Sequence, residues 1–425
     1  MMDQIKTALK KCGVENWRIT EERSETAELY FVKKELDIPR KKSLTRYSVT
    51  LFRDAGEGEG RTRAATNAIL TPGMTGEEME SRIRDAYFAA QFTGNPWFDL
   101  PAPEKCAHIP STSDLAALTP EAAAMALAGG IFAVDDQQDA FLNSVEIFVT
   151  KSRVHMVGSN GLDVSFDKCE AKGELVAQCI APKDVEQFRE FQFDRLDVEA
   201  LQKRALDAIR DVRARARSTV PPKAGTYDVV LTGEHITELL QYYCARTSAA
   251  MIYPGYSRWE KGMNVQGEGI VGEKLDLELV PSEPYSEEGV KMERRTLLRE
   301  GRMELIHGPV RFCAYLKTPP TGYYEKVACG NGTVPYADLC GEGVLEPVSF
   351  SDFQMDPMDG HFKGEIRLAL LHHADGTVEE LSGGSINGSL PEAQKNLLFS
   401  KERYEDSAYA GPLAVKLCGV QVAGL

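Results

Sequence analysis

The sequence carries no excess of positive charge: 49 Lys and Arg stand against 64 Asp and Glu, a formal charge of -15. A chain this acidic repels phosphate backbones and anionic lipid, which argues against nucleic acid or a membrane surface as its partner. Long apolar runs are missing too. The longest uncharged apolar stretch, Ala122 to Val134, contains Gly129 and Gly130 and is thirteen residues long. That is short of the ~20 needed to span a bilayer. The opening Met1-Met2-Asp3-Gln4-Ile5-Lys6 has no apolar core for export, so a cytoplasmic protein is expected. Nine cysteines are present, but their closest pair is Cys169 and Cys179, so there is neither CxxC nor zinc-ribbon spacing. An odd number of thiols in an unexported chain reads as reduced cysteines, mostly small buried apolar groups.

Motifs are equally scarce. None of the seven histidines forms HExxH, and no GxSxG elbow, Walker loop or dinucleotide fingerprint occurs. Gly56, Gly58 and Gly60 alternate with Glu57 and Glu59; the acids would repel phosphate and the spacing is wrong for a phosphate loop, so a hairpin turn is expected. His235 and Glu238 share a helix face near its start, but two ligands do not make a zinc site. His372-His373 adjoin the turn signal Ala374-Asp375-Gly376 with no carboxylate or cysteine at a ligand spacing in the sequence. The residues taken alone mark no active site, cofactor or metal.

What is there suits two domains, because cores rarely grow beyond ~250–300 residues and the chain has 425. Residues 1–220 read as an α+β domain. A short helix spans Gln4–Cys12. Extended segments follow at Ala27–Ile38, Tyr47–Phe52 and Arg61–Ile69. A helix over Thr75–Gln91 carries Met79, Ile83, Ala86 and Ala90 on one face, and Thr119-Pro120 opens another through Ala128. Val145–Val149 reads as a strand returning through Val154–Val157, with Leu162–Phe166 after a turn. A long helix, Asp197–Arg217, ends in arginines that suit the negative end of its dipole. Val220-Pro221-Pro222-Lys223 stops it. Residues 224–425 read as β-rich: a strand at Thr226–Leu231, a helix over Glu234–Ala250, and strands at Leu275–Val280, Arg295–Leu298, Arg302–Ile306, Val348–Phe353 and Glu365–Leu371. A last helix at Leu390–Leu398 and a closing strand at Leu413–Val422 complete an α+β chain without βαβ rhythm.

Several segments occur in an order that resembles the TldD/PmbA family. They are Tyr227-Asp228-Val229-Val230-Leu231 before a helix ending Thr247-Ser248-Ala249-Ala250, then Tyr256-Ser257-Arg258, Glu287-Glu288-Gly289-Val290, Leu298-Arg299-Glu300-Gly301-Arg302, Gly360-His361-Phe362-Lys363-Gly364-Glu365, and the close from Gly411-Pro412-Leu413 to Val422-Ala423-Gly424. The meander, glycine turn and Thr75–Gln91 helix match the order of that family's N-terminal domain. The resemblance implies two branches. TldD-like members hold zinc on an HExxxH helix with a late cysteine; PmbA- or TldE-like members lack the motif and pair with a TldD-like chain. Laid on that motif, Gln241, Tyr242 and Arg246 take the His, Glu and His positions. Gln is a poor zinc ligand, Tyr is no carboxylate base, and Arg repels a metal. Cys418, inside the closing strand, is expected to be buried and is no counterpart of the late cysteine.

The resemblance therefore implies a metal-free PmbA/TldE-like subunit of a cytoplasmic peptidase acting on unfolded or precursor peptides. An extended peptide is the expected ligand, added as a strand, with Gln241, Tyr242 and Arg246 as candidate contacts. A zinc-bearing TldD-like chain or a second copy is the expected partner. Two alternatives stay open: a peptidase acting alone through a cysteine or other non-zinc centre, and a peptide-binding scaffold with no link to proteolysis. The family's label as a gyrase modulator finds no support in the acidic composition.

Overall fold

In the computed structural model, residues 1–136 and 138–424 are described. Alternating burial along the first half produces long strands, since successive side chains leave a strand on opposite faces. These are β1 (Asn16–Val32), β2 (Glu35–Ala55), β3 (Thr62–Leu70), β4 (Asn95–Pro96), β5 (Ala140–Gly158), β6 (Asp163–Cys179) and β7 (Val185–Phe193). They form one antiparallel sheet in the order β4-β3-β2-β1-β5-β6-β7.

Four helices cover one face of this sheet. From α1 (Met2–Lys11) and α2 (Gly76–Ala89), Ile5, Leu9, Met79 and Ile83 pack on Ile19, Val49, Leu51 and Leu70. From α3 (Pro120–Ala133) and α4 (Val198–Arg217), Leu127, Ile131, Leu201 and Ile209 pack on Val145, Ile147 and Leu175. Side-chain caps start three of the helices: Thr75 in a capping box with Glu78, Thr119 accepting from the Ala122 amide, and Asp197 accepting from the Ala200 amide. Each contributes about 1 kcal/mol by satisfying an otherwise unpaired N–H. The opposite face carries Val154, Met156, Val164 and Phe166, which receive Tyr285 from the second half.

The second half opens with β8 (Gly225–Thr232), α5 (Glu234–Arg246) and α6 (Ala249–Ile252). A mixed sheet follows from β9 (Leu277–Val280), β10 (Arg295–Arg299), β11 (Arg302–Met303), β12 (Lys326–Cys329), β18 (Arg403–Glu405) and β19 (Tyr409–Pro412), in the order β11-β10-β9-β12-β19-β18. Between these lie α7 (Val310–Tyr315) and α8 (Tyr336–Leu339), then β13 (Leu345–Met355), β14 (His361–His372), β15 (Val378–Leu381), β16 (Ser385–Ser389), α9 (Leu390–Ala393) and β17 (Leu398–Phe399). The last strand is β20 (Ala414–Ala423). Strands β13, β8, β20, β16 and β14 pair in that order, and β14 pairs back with β13, so this sheet closes on itself. One core serves both sheets: Val229, Ile366, Val415 and Leu417 from the closed one meet Leu277, Leu279, Leu297, Val327 and Tyr409 from the other. Ile236, Leu239, Leu240 and Tyr243 of α5 belong to the same core.

The α+β class and the β-rich second half agree with the sequence reading; several elements differ from it. Ala27–Ile38 is not one extended run, because the chain turns at Lys33, whose φ is +54°, and returns as β2. The expected hairpin between Val149 and Val154 is a single strand. Its polar middle stays extended because Lys151 and Arg153 are paired on both sides, with Glu25 and Arg23 of β1 and with Cys169 and Asp167 of β6. The helix expected over Glu234–Ala250 breaks at Thr247, whose hydroxyl donates 2.7 Å to the Tyr243 carbonyl. Cys418 is half-buried.

Candidate functional site

Gly233, at φ +58°, turns β8 into α5. The helix then inserts its apolar face into the core, with Tyr242 at the edge of that core and Arg246 beyond it facing residues 256–259 and 358–360. At ~100° per residue these three positions lie within about 140° of arc, one side of the helix.

Tyr242 is buried, its ring edge-on to Trp259 at 5.5 Å and to Tyr243 at 5.3 Å. Loss of water around the ring raises its phenol pKa, so it stays neutral and is no general base near pH 7. The Arg246 guanidinium lies 5.2 Å from the Trp259 centroid and 5.8 Å from that of Tyr242. It also donates to the carbonyls of Met358 at 2.6 Å and Tyr256 at 3.3 Å. Gln241 is half-buried. The segment over Tyr242 is fixed by Gly360, at φ +79°: a Cβ there would lie 2.5 Å from Pro391 Cδ and 3.0 Å from Tyr242 Cε2. Glycine is the one residue that fits such a left-handed, crowded position.

This flank does not suit the zinc that the resemblance attaches to an HExxxH helix. A fixed cation occupies the second imidazole position and is held in place by two carbonyls and an indole. A buried neutral phenol replaces the carboxylate. No hydrolytic step can be routed through a metal here.

His235 and Glu238 do not converge. The His235 ring sits 4.8 Å from the ring of Phe350 and 5.4 Å from that of Phe353, and burial pushes its pKa down to about 4. Glu238 is exposed. Burial also pushes the thiols of Cys244 and Cys329 up to about 12 and that of Cys313 to about 11. That is the wrong direction for a thiolate nucleophile. An open cavity of about 350 Å³ lies elsewhere, on the mixed sheet, lined by Asp276, Glu278, Thr296, Arg299 and Glu300 among others.

One constellation corrects the sequence reading. His372 does have carboxylate and cysteine neighbours, supplied by the fold. Antiparallel pairing of β13 with β14 sets Leu345 opposite Leu371, which brings His372 Nε2 to 3.0 Å from Glu346 Oε2. Cys340, at the end of α8, places Sγ 4.0 Å from the same oxygen, and the Tyr336 hydroxyl donates to Glu346 Oε1. Strand register, not local spacing, unites residues 346 and 372, and the end of α8 adds Cys340. Only a correct pairing of β13 with β14 would have revealed them. His373 points away, 3.5 Å from Glu379 at the surface.

Comparison with known proteins bears on the same region. Residues 224–424 match the PmbA/TldA metallopeptidase C-terminal domain. Over the whole chain the fold is similar to TldE from Thermococcus kodakarensis, at 19% identity, full coverage of both chains and a TM-score of 0.77. It is also similar to two proteins described as proposed modulators of DNA gyrase. The one from Thermotoga maritima is 13% identical, with 99% of each chain covered and a TM-score of 0.77. The one from Bacteroides thetaiotaomicron is 14% identical, with 100% of this chain and 99% of the other covered and a TM-score of 0.77. No curated protein matches the sequence.

Proposed function

Because the second half of the chain, residues 224–424, belongs to the PmbA/TldD family, we propose that the protein is the TldE-like subunit of a two-chain peptidase acting on unfolded or precursor peptides. In this reading the partner is a TldD-like chain that brings the zinc, and this chain carries none on α5. The observation that carries the proposal is Arg246: a cation stacked on Trp259 and bonded to the Met358 and Tyr256 carbonyls, standing where the zinc-bearing branch places a histidine. Water attack on an amide needs a metal or a positioned base, and Gln241, Tyr242 and Arg246 supply neither. Their role in this reading is to orient an extended peptide. The raised thiols of Cys244, Cys313 and Cys329 weigh against the cysteine-peptidase alternative.

The test is reconstitution with an HExxxH relative from the same organism. The isolated chain should leave unstructured peptides intact, the mixture should cleave them, and EDTA should abolish the cleavage. The two chains should co-elute in light scattering as a particle larger than one 46.9 kDa chain. Chelator-resistant hydrolysis by this chain alone would refute the assignment.

A further inference from the structure

We propose that Cys340 Sγ, Glu346 Oε2 and His372 Nε2 form a binding site for one zinc-class divalent cation, separate from α5. Thiolate, imidazole and carboxylate are the three side-chain ligand types that zinc takes, and among the described residues these ligand atoms all lie within 4.8 Å of one another. The measured separations are 3.0 Å between His372 Nε2 and Glu346 Oε2 and 4.0 Å between Cys340 Sγ and Glu346 Oε2. Bond lengths of ~2.0–2.3 Å to a tetrahedral ion require ligand separations of about 3.2–3.7 Å. Shifts of well under ~1 Å along these two contacts bring them to that spacing, and the third pair, Cys340 with His372, already lies within 4.8 Å.

The scaffold is suited to the task. Glu346 and His372 sit on adjacent strands whose ends are tied by the His372 amide to the Val344 carbonyl at 3.0 Å and the Gly343 amide to the His372 carbonyl at 2.9 Å. Tyr336 holds the second oxygen of Glu346, the outer-shell contact that orients a ligating carboxylate. Glu346 is buried, while Cys340 and His372 are half-buried, so an ion can enter from their side. Leu339, Val344 and Val230 wall the other side with apolar surface. On binding, the thiol proton leaves to solvent, the imidazole turns an unprotonated Nε2 to the ion and keeps its one proton on Nδ1, and the ion replaces the two contacts converging on Glu346 Oε2. Three protein ligands leave a fourth position for water. With a thiolate, a carboxylate and a neutral imidazole, the site's net charge with a divalent ion is zero, which suits a half-buried location.

The proposal is independent of the peptidase reading, and it departs from the expectation of a metal-free chain without touching the α5 positions. It is tested on the full chain, stripped with chelator under reducing conditions and titrated with Co²⁺ as the spectroscopic stand-in for Zn²⁺. One equivalent should bind with a thiolate-to-cobalt charge-transfer band in the near ultraviolet, and Zn²⁺ should displace it. Cys340→Ser should abolish the band, and His372→Gln should weaken binding more than ~100-fold. Tyr336→Phe, which keeps all three ligands, should weaken it ~10- to 100-fold. Arg246→Ala should leave the titration unchanged. Because the wild-type band needs no variant, failure of a variant to fold does not spare the idea. No charge-transfer band in the wild-type chain, or a band that survives in folded Cys340→Ser, overturns the site and leaves Glu346 as the acceptor of an internal hydrogen-bond network.

Discussion

Arg246 and Trp259 form a stacked pair, guanidinium carbon 5.2 Å from the indole centroid, on the flank of α5 that the zinc-bearing branch of the family is expected to use for its metal. The ring face and two main-chain carbonyls hold the cation, so the helix is tied to residues 256–259 and 358–360.

Removing that clamp should cost stability before it affects anything else. Arg246→Ala loses a cation–π contact and two charge-assisted hydrogen bonds, together about 2–3 kcal/mol. Arg246→Lys keeps the charge but not the two-carbonyl reach and should fall between. Urea unfolding measures both. In a reconstituted mixture, Arg246→Ala should change peptide affinity at most, whereas substitution of the partner's zinc ligands should remove turnover.

Gly360→Ala should destabilise the chain by about 2–3 kcal/mol, since the new methyl group meets Pro391 and Tyr242 in a left-handed backbone. The loss should shrink when Pro391→Ala is combined with it, because Pro391 Cδ is the nearest obstacle at 2.5 Å. A double-mutant cycle in denaturant gives the coupling directly.

His235 should make the fold acid-sensitive. Its folded pKa of about 4 lies below the ordinary histidine value of 6.5, so the unfolded chain binds the extra proton first. Stability from this residue is therefore complete above about pH 6.5 and is lost as pH falls toward 4, by ~3 kcal/mol in all. His307, also shifted down by burial, acts in the same direction. His235→Asn should flatten the slope of stability against pH between 4 and 6.5 by up to one proton. Urea melts across that range should show it against wild type, and an unchanged slope would contradict the shift.

Helices were the most legible part of the sequence, because their signals are local. Thr119-Pro120 announces α3, and Thr119 caps it; Thr75 and Asp197, the first residues of the other two expected helices, prove to cap α2 and α4. Strands were read less well where pairing overrides composition. The polar middle of β5 resembles a turn, yet Arg153 stays in register with Asp167, to which it donates at 2.8 Å. Lys33 takes a left-handed turn conformation that a sequence reader assigns to glycine or asparagine. At the candidate sites the same division holds. The α5 positions lie on one helix and were named through the family resemblance. Glu346 and His372 meet through the register of two strands, Cys340 joins them from the end of α8, and none of the three carries a local mark.

The closed sheet has a consequence for when the protein acquires its shape. β20, the final strand, lies between β8 and β16, with Val415 opposite Leu231 and Val422 opposite Ile386. Until it is in place, β8, which begins the second half, has no partner along that edge and α5 has no Val415 or Leu417 to rest on. The second half therefore completes its core only once residues 414–423 are available, while the first half, whose sheet ends at Phe193, already has all its strands. Such distant pairing folds slowly and leaves strand edges open meanwhile. Loss of β20 alone would undo far more of the molecule than its ten residues suggest.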